Sequence, residues 1–404
     1  MMRVLVVCQH YWPEDFQVTA VCEELVRRGH EVTALVGLPN YPSGVVPGEY
    51  RRGRNRRQEK DGVSIVRAFE VGRGRGAVRL ALNYYSFARS AARVAKSLPD
   101  DFDVVFAYQL SPVMMAEPAV AYKRKSGVPL LLYCCDLWPE SMKVMLGNRL
   151  PLLLKHYEKV SGRVYGQADL IAVQSSAFPD YFAQTHGIAG GRIRYVPQFA
   201  PSKFLDQDFS CDAHAGVNFV LMGNIGRAQS VPCILEAVAR MRNDRGFAVH
   251  FVGDGACLQE ARDIVRRLGL DDRVVFHGRR PFSEMPSYYR MADACLLALD
   301  GSTWVGTTLP SRLQGYMAAG KPILAAINGG ARDVIEESGC GRAVDAGDSE
   351  GLAALMDGFV DDPEAFSACG EAGRRYFKDH FLREQHVDAI EMLLEEIVDG
   401  SASV

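Results

Sequence analysis

The sequence contains no apolar run that approaches the roughly 20 residues a membrane-spanning helix requires. The short apolar stretch from Val4 to Cys8 is followed at once by polar residues, which predicts a strand rather than a signal peptide. The ten cysteines show no repeated spacing, no Cys-x-x-Cys pair and no zinc-type Cys/His pattern. We therefore expect reduced thiols in a cytoplasmic protein, with any membrane contact limited to the periphery of the bilayer on its inner face.

Length and composition narrow the class of protein further. A chain of 404 residues is too long for one ordinary core and predicts two domains. A hydrophobic content of 48% and a charged content of 24% are typical of a globular protein. The net charge of −3 argues against a nucleic-acid-binding protein. No convincing metal-binding motif is present, so we expect neither a metal nor another cofactor.

Positive charge is concentrated between Arg51 and Arg79, where few acids occur. The cluster consists of Arg51, Arg52, Arg54, Arg56, Arg57, Lys60, Arg67, Arg73, Arg75 and Arg79. Three interpretations are open: a solvated flexible loop, a surface for anionic lipid headgroups or a lipid-diphosphate acceptor, and a nucleic-acid-binding surface. Nucleic acid is the weakest of the three, because the aromatic interleaving of RNA-binding surfaces is missing.

Strand and helix patterns alternate along nearly the whole chain, which predicts α/β domains with parallel sheets covered by helices on both faces. The segment 198–215 has little periodicity and interrupts this alternation, and residues 374–398 have a helical pattern. The predicted organisation is a first domain over 1–198, a linker over 199–216, a second domain over 217–385 and a C-terminal helix over 386–404.

The segment from Thr307 to Leu324 is a polar loop that runs into a short helix and a buried strand. Pro310 near the first helical position and Gly320 just past the last are typical helix boundaries. A helix N-terminus offers unpaired N–H groups and partial positive charge, so it can hold an anion such as phosphate. The side chains that add donors or charge there are Thr307, Thr308, Ser311 and Arg312. An ordinary helix with a solvated polar start is the alternative.

The stretch PSRLQGYMAAGKPILAA, which begins at Pro310, resembles the segment that holds the nucleotide diphosphate in family-4 glycosyltransferases. These are retaining enzymes of the GT-B fold, and the stretch is similar to a subgroup that builds bacterial surface polysaccharides. The resemblance extends over nearly the whole chain through the segments VLVVCQHYWPEDF, CDLWPES, GNIGRAQS, FVGDG, LGLDDRVVFHGRRP and YYRMADACLLAL. It implies two doubly wound Rossmann-like domains that face a cleft, with a last helix that crosses back to the first domain.

The donor site is expected beyond the carboxyl ends of the second domain's strands, where open parallel sheets bind ligands. The donor-binding residues that the resemblance implies are Gly223, Asn224, Arg227, His277, Thr308, Ser311, Arg312, Gly329 and Gly330. Tight glycine turns and a packed or solvated histidine are the alternatives for single members of this set. Family members carry two glutamates shortly before the Gly-Lys-Pro, but Thr307 and Gly315 stand at those positions here. Because both glutamates are absent, the identity of the donor and the family's usual catalytic mechanism both stay open for this chain.

A second group of polar residues follows the predicted strand that ends at Cys134 and suggests an acceptor site. Asp136 or Glu140 could be catalytic, orienting an acceptor hydroxyl and taking its proton, and Trp138 could stack on a sugar ring. The alternative is that the two acids cap the next helix. Further acceptor-binding residues expected from loops near the N-terminus are Glu14, Asp15 and Asn40.

The function implied by the resemblance is transfer of a sugar, with retention, from a nucleotide donor to a lipid-linked saccharide. A UDP-linked N-acetylated hexose is the expected donor, and the products would be O-antigen, capsule or exopolysaccharide. Two other functions remain open: a nucleotide-sugar 2-epimerase of the same fold, and a non-catalytic nucleotide-sugar-binding partner of a membrane assembly. Conversion of a UDP-sugar without an acceptor would favour the first, and tight binding without turnover would favour the second.

Overall fold

The computed structural model describes residues 1–147, 149–211, 214–243 and 246–402. The strands are β1 (Arg3–Val7), β2 (Glu31–Val36), β3 (Arg57–Lys60), β4 (Val63–Arg67), β5 (Val104–Gln109), β6 (Leu130–Cys134), β7 (Leu170–Val173), β8 (Ile193–Tyr195), β9 (Val217–Met222), β10 (Phe247–Val252), β11 (Val274–Gly278), β12 (Ala294–Ala298), β13 (Ile323–Ala326) and β14 (Gly341–Val344).

Helices alternate with these strands, as parallel sheets require. They are α1 (Gln17–Arg27), α2 (Ala77–Ser97), α3 (Glu117–Ser126), α4 (Glu140–Leu146), α5 (Pro151–Tyr165), α6 (Phe178–His186), α7 (Val231–Arg240), α8 (Leu258–Leu268), α9 (Met285–Met291), α10 (Ser311–Ala318), α11 (Gly330–Ser338), α12 (Ser349–Asp361), α13 (Cys369–His380) and α14 (Arg383–Ala402). Among the described helices, none has both the length and the apolarity needed to cross a bilayer.

The chain divides into two compact units, each built on one sheet. The first unit has the strand order β3-β4-β2-β1-β5-β6-β7-β8, in which only the β3–β4 pair is antiparallel. The second has the order β11-β10-β9-β12-β13-β14 and is parallel. The predicted α/β class with two doubly wound sheets is confirmed.

Alternating side chains along each strand of the second unit enter different cores. On β9, Phe219 and Leu221 join one apolar cluster, whereas Val220 and Met222 join another. Each cluster is covered by helices. The loops at the strand ends are therefore the places where polar groups of this unit can reach a ligand.

The segment predicted as a linker packs with the second unit, which begins again at Pro197. Phe204 and Phe209 from this segment are buried in the same cluster as Val220. The single helical pattern predicted over 374–398 is two helices, α13 and α14, because the chain turns at Phe381, which is itself fully buried. Residues from His386 onward group with the first unit.

The basic cluster is not one flexible loop, and that interpretation is corrected here. Arg57 and Lys60 lie in strand β3, which pairs with β4. Arg67 is 3% exposed, stacks over the rings of Tyr50 and Trp12, and donates to the Gly37 carbonyl at 3.2 Å. The alternating polar sequence of β3 carries no apolar signal, so sequence patterns could not separate this strand from a loop.

Candidate functional site

Two glycine-containing loops follow β9 and β10 and lie against each other at the carboxyl edge of the second sheet. Ile225 donates its backbone N–H to the Asp254 carbonyl at 3.0 Å. A Cβ on Gly253 would lie 1.8 Å from the Gly223 carbonyl oxygen, and one on Gly255 would lie 2.3 Å from that of Ile225. Only glycine permits this close approach of the two backbones at 253 and 255.

Arg312, in the first turn of α10, extends over the loop after β9. Its Nη2 donates to the Asn224 carbonyl at 3.0 Å, and a Cβ on Gly223 would lie 3.3 Å from that same Nη2. Gly223 has φ +116°, a conformation that favours glycine. Within the described part of the chain, the buried Nη1 of Arg312 has no hydrogen-bond partner. Burial lowers the pKa of Arg312, as expected for a cation without a paired acid.

The other predicted donor-binding residues lie in the same region of the second unit. Ser311 is the first residue of α10 and is exposed, and Thr308 lies just before it. Gly329 has φ +65°, and a Cβ there would lie 2.6 Å from that of Thr307, so this position also requires glycine. The remaining members of the set begin short helical segments: Gly330 begins α11, and Arg227, which is exposed, begins a short 3-10 helix.

The two positions where family members carry glutamates are filled by packing. The Thr307 hydroxyl donates to the Trp304 carbonyl at 2.8 Å, so it is already engaged. A Cβ on Gly315 would lie 2.9 Å from the hydroxyl oxygen of the buried Tyr289. A glutamate at 315 would therefore require Tyr289 to move. Any contact that such a carboxylate makes in other family members must therefore be made by a different group in this chain.

His277 lies on β11 and is half-buried. Its ring lies nearly parallel to that of His250, with Nε2 3.0 Å from His250 Nδ1, and meets Tyr288 edge-on at 5.1 Å. Burial is the main cause that lowers its pKa, and Arg280 adds to the effect. His277, one of the expected donor-binding residues, is therefore neutral at pH 7 and contacts the rings of His250 and Tyr288.

Asp136 and Glu140 follow β6 in the first unit, but they have different surroundings. Asp136 is half-buried and its Oδ1 accepts from the Ser141 hydroxyl at 2.5 Å. Burial raises its pKa, although Ser141 and Ser111 hydroxyls oppose this. Glu140 is 2% exposed, begins α4 and pairs with Lys143 at 2.6 Å. Asp136 therefore fits a proton acceptor better than Glu140, whose position at the helix start suits the alternative structural role.

Trp138 is a packing residue in this structure, contrary to the prediction of a sugar-stacking platform. It is 5% exposed, and its ring meets those of Tyr84 and Tyr157 edge-on at 6.5 Å and 5.7 Å. Its carbonyl accepts from the Ser161 hydroxyl at 2.5 Å. Both faces of an aromatic ring packed in this way are unavailable for stacking on a sugar.

Glu14 and Asn40 hold the edge loops of the first unit together, although they were predicted to contact the acceptor. Glu14 is 8% exposed, lies 2.9 Å from His10 Nδ1, and accepts from the backbone N–H groups of Asn40 and Tyr41. Asn40 is 2% exposed and accepts from the Arg73 N–H at 2.9 Å. Their polar atoms are thus engaged inside the protein, and only Asp15 of this set is exposed.

Glu70 belongs to the same buried network and was missed by the sequence analysis. It is 2% exposed and accepts from Gln9 Nε2 at 2.7 Å and from Asn40 Nδ2 at 2.6 Å. Asn83 fixes the Gln9 amide, because its Oδ1 accepts from Gln9 Nε2 at 2.9 Å. Burial raises the pKa of Glu70 well above its ordinary value, and Glu14 adds to the effect. A single acid after a strand is typical of an exposed loop. The burial of Glu70 therefore becomes apparent only in the three-dimensional structure.

Cys211, His214 and Asp293 place one ligand atom each within 4.8 Å of one another and could in principle hold a cation. The Lys321 ammonium donates to Cys211 Sγ at 3.4 Å, and the thiol donates to the Ala292 carbonyl at 3.0 Å. A lysine against the sulfur competes with a cation there. The expectation that no metal is needed stays a prediction.

Comparison with known proteins adds to this geometry. The model of the glycosyl transferase 4-like domain matches residues 16–198, and that of glycosyl transferases group 1 matches residues 216–376. The two matches fall on the two sheets in turn and together cover most of the sequence. The chain belongs to the GT-B glycosyltransferases. The second match contains the glycine loops and Arg312, and the first contains Asp136.

Individual relatives are distant. The chain is 35% identical over 144 residues to the probable glycosyltransferase WbjE of Pseudomonas aeruginosa, a match that spans 34% of each protein. It is 24% identical to the MMP α-(1→4)-mannosyltransferase of Mycolicibacterium hassiacum, over 91% of this chain and 90% of the relative. Among solved structures, Anabaena Alr3699/HepE in complex with UDP aligns with TM-score 0.69 and 16% identity, over 98% of this chain and 100% of that one. The last likeness concerns the fold.

Proposed function

We propose that the protein is a retaining family-4 glycosyltransferase of the surface-polysaccharide subgroup. In the proposed reaction it moves a sugar, an N-acetylated hexose, from a UDP-sugar to a lipid-linked saccharide. The bond from the anomeric carbon to the diphosphate oxygen breaks, and a bond to the acceptor oxygen forms on the same face of the sugar. The acceptor hydroxyl loses its proton, and UDP leaves.

The buried, unpartnered Nη1 of Arg312 is the observation that carries this proposal. Leaving a buried cationic donor unsatisfied costs about 1–3 kcal/mol or more, and a phosphate oxygen bound at this position would remove that cost. The nearby start of α10 adds partial positive charge, and Gly223 has no side chain of its own beneath the guanidinium of Arg312. Fixed positive charge aimed at a departing diphosphate stabilises the transition state. Arg227 extends from the same loop and would supply a second charge.

We assign to Asp136 the role of the base that accepts the proton of the acceptor hydroxyl. A carboxyl whose pKa is raised by burial is a better base at neutral pH than an ordinary aspartate, provided it remains ionised in the reacting enzyme. The hydroxyls of Ser141 and Ser111 orient it by donating to the carboxylate. Glu140 is assigned to the structure of α4 because its charge is already paired with Lys143.

A lipid-linked acceptor requires contact with a membrane surface, and α2 together with α5 offers one. Val78, Leu82 and Tyr85 follow one another at helical spacing on α2 and are 76%, 50% and 38% exposed. Leu150 and Leu153 are 48% and 38% exposed at the start of α5. The Tyr85 and Tyr157 hydroxyls, 3.1 Å apart, join these two rows into one surface, which we name the α2–α5 patch.

The α2–α5 patch is flanked by exposed cations on α2 and just before it. These are Arg75, Arg79, Arg89 and Arg93. Exposed apolar residues bordered by arginines are typical of helices that rest in the headgroup region of anionic bilayers. We therefore assign the membrane contact to this patch. Its flanking cations overlap the Arg51–Arg79 cluster only at Arg75 and Arg79.

The proposal is tested by nucleotide binding without added metal, measured by calorimetry and thermal unfolding. UDP at 100 times its dissociation constant should stabilise the protein by about 2.7 kcal/mol. Arg312→Ala should weaken UDP binding by roughly 10–100-fold, because a charge-assisted hydrogen bond contributes about 1.5–3 kcal/mol. Arg312→Lys should recover only part of the loss, and Arg266→Ala, an exposed arginine on α8, should bind like the wild type. Failure of every nucleoside diphosphate to bind would reject the proposal.

A further inference from the structure

Two buried glutamines lie on either side of the segment that carries Asp136. Gln109 is the last residue of β5 and is fully buried, whereas Gln174 directly follows β7 and is 9% exposed. Strand β6 runs between these two strands and ends at Cys134. The two glutamines therefore reach the residues just after β6 from opposite sides of that strand.

Each glutamine donates a hydrogen bond to a backbone carbonyl beyond the end of β6. Gln109 Nε2 donates to the Asp136 carbonyl at 3.0 Å, and Gln174 Nε2 donates to the Cys135 carbonyl at 2.5 Å. Buried carbonyls past the end of a strand need new donors, because the sheet no longer provides them. The two side-chain amides supply these donors. We call Gln109 and Gln174 the glutamine clamp.

The amide of Gln109 is itself held in one orientation. Its Nε2 also donates to the Leu110 carbonyl at 2.5 Å, and its Oε1 accepts from the hydroxyl of the fully buried Tyr165 at 3.4 Å. Rotation of the amide by half a turn would place its oxygen against two carbonyl oxygens. The clamp is therefore a fixed part of the first unit, not a pair of adaptable side chains.

The stretch of chain that contains Gln109 also reaches the carboxyl group of Asp136. Ser111, two residues further on, and Ser141 both hydrogen-bond to this carboxyl group. The clamp thus holds the backbone of Asp136, and two hydroxyls hold its side chain. A misplacement of about 1 Å at a reacting group can cost about 10²-fold in rate.

We propose that Gln109 and Gln174 are positioning residues for sugar transfer, which hold Asp136 where it takes the proton of the acceptor hydroxyl. The inference rests on the proposed function, because Asp136 is the base in that reaction. A purely structural role would give these two hydrogen bonds the same weight as other buried bonds to carbonyls. A positioning role makes the rate of transfer more sensitive to their loss than the fold is.

Gln109→Met and Gln174→Met test the clamp, because methionine is flexible, apolar and unable to donate a hydrogen bond. Each variant should lower kcat by at least about 10-fold and leave the KM for the donor within about 2-fold of wild type. Tyr122→Phe is the matched control, since it removes a buried hydroxyl that donates to the Pro99 carbonyl at 2.5 Å, before the start of β5. It should keep the wild-type kcat. Thermal unfolding checks that each variant is folded, and Gln174→Met decides alone if Gln109→Met is not.

The titration of Asp136, followed by carbon-13 NMR of its carboxyl group, gives a readout that does not depend on transfer. Burial is the main cause of its raised pKa, so water that enters around a loosened backbone should lower the pKa toward the ordinary value of about 3.9. Both clamp variants should show this fall, and Tyr122→Phe should not. The groups that interact electrostatically with Asp136 have raised pKa values and stay neutral at pH 7: Cys134, Tyr84, Tyr165 and Tyr181.

A kcat within about 2-fold of wild type in the clamp variants, or an Asp136 pKa that does not fall, would overturn the inference. Asp136→Asn separates this result from a failure of the proposed function. If Asp136→Asn transfers sugar as fast as the wild type, Asp136 is not the base, and the positioning role is rejected with it. If the wild type transfers sugar to no acceptor, the proposed function fails, and the carbon-13 titration alone decides whether the clamp holds Asp136.

Discussion

Arg312 and Gly223 form the unit on which donor binding depends at the scale of single residues. Arg312 could be predicted from the sequence, because a polar loop before a helix is a common anion site. Its contact with the Asn224 carbonyl could not, since the two residues are 88 positions apart in the chain. The same distinction applies to Gly223. Its loop is recognisable in the sequence, but its φ of +116° and the guanidinium 3.3 Å from a Cβ there are seen only in the fold.

Gly223→Ala should weaken nucleotide binding more than it weakens the fold. The new Cβ would lie 3.3 Å from Arg312 Nη2 at a φ of +116°, so both the backbone and the guanidinium must shift. We expect a loss of about 1–3 kcal/mol in unfolding free energy and at least a 10-fold weaker UDP affinity. Gly269→Ala is the matched control, because it has φ +66° with open space around it. It should lose stability but keep its affinity, and equal affinity losses in both variants would contradict this account.

Asp136→Asn should slow sugar transfer without lowering the stability of the fold. The folded state raises the pKa of Asp136, so its neutral form is favoured, and the free energy of unfolding falls as pH rises above the ordinary value of about 3.9. A neutral asparagine should therefore leave the melting temperature at pH 7 equal or higher. Transfer should slow by roughly 10²–10⁴-fold, as expected for loss of a general base. A rate within a few-fold of wild type would remove Asp136 from the mechanism, and Glu140→Gln tests the other acid.

At the scale of secondary-structure elements, the apolar strands could be predicted from the sequence and the polar edge strand could not. The buried strands β1 and β6 were predicted because uninterrupted apolar runs are typical of parallel sheets. Strand β3 was missed because Arg57–Lys60 is polar throughout and pairs only at the edge. Glu70, just beyond β4, was also missed. Its role depends on Gln9 and Asn40, which arrive from other strands.

The edge loops of the first unit should show a pH dependence set by Glu70. Because its folded-state pKa is raised, folding takes up a proton, and the free energy of unfolding should fall with rising pH above about 4.3. The slope should reach at most about 1.4 kcal/mol per pH unit for one proton. Glu70→Gln should reduce this slope, as measured by denaturant unfolding between pH 5 and 8. An unchanged slope would show that Glu70 does not keep its proton in the fold.

Helices α2 and α5 should determine membrane binding. Leu82→Glu with Leu153→Glu removes two apolar anchors and adds negative charge, so affinity for anionic vesicles should fall by at least 10-fold. Vesicle co-sedimentation measures this, and neutral vesicles should bind less of the wild type. The control is Arg52→Glu with Arg54→Glu, which changes more charge in the exposed loop of the basic cluster. A larger loss of vesicle affinity in the arginine variant than in the leucine variant would instead assign the membrane contact to that loop.

At the scale of the whole molecule, two sheets carry two kinds of chemistry. The second unit holds Arg312, whose buried Nη1 has no hydrogen-bond partner among the described residues, and the first holds a carboxyl with a raised pKa, Asp136. The two-domain architecture followed from alternating patterns and was predicted correctly. Residues from His386 onward group with the first unit and also form long-range ion pairs with it, such as Arg28 with Glu391 at 2.6 Å, which local patterns do not reveal.

The central claim is sugar transfer, and an assay that follows donor and acceptor together tests it most directly. UDP-sugars would be incubated with lipid-linked saccharides and no added metal, and the products would be analysed by mass spectrometry and by NMR of the anomeric proton. We predict a new glycosidic bond with the donor's anomeric configuration and one UDP released per bond. Both should be lost in Arg312→Ala and Asp136→Asn. An epimerised UDP-sugar formed without acceptor, or tight UDP binding with no product from any acceptor, would contradict the account.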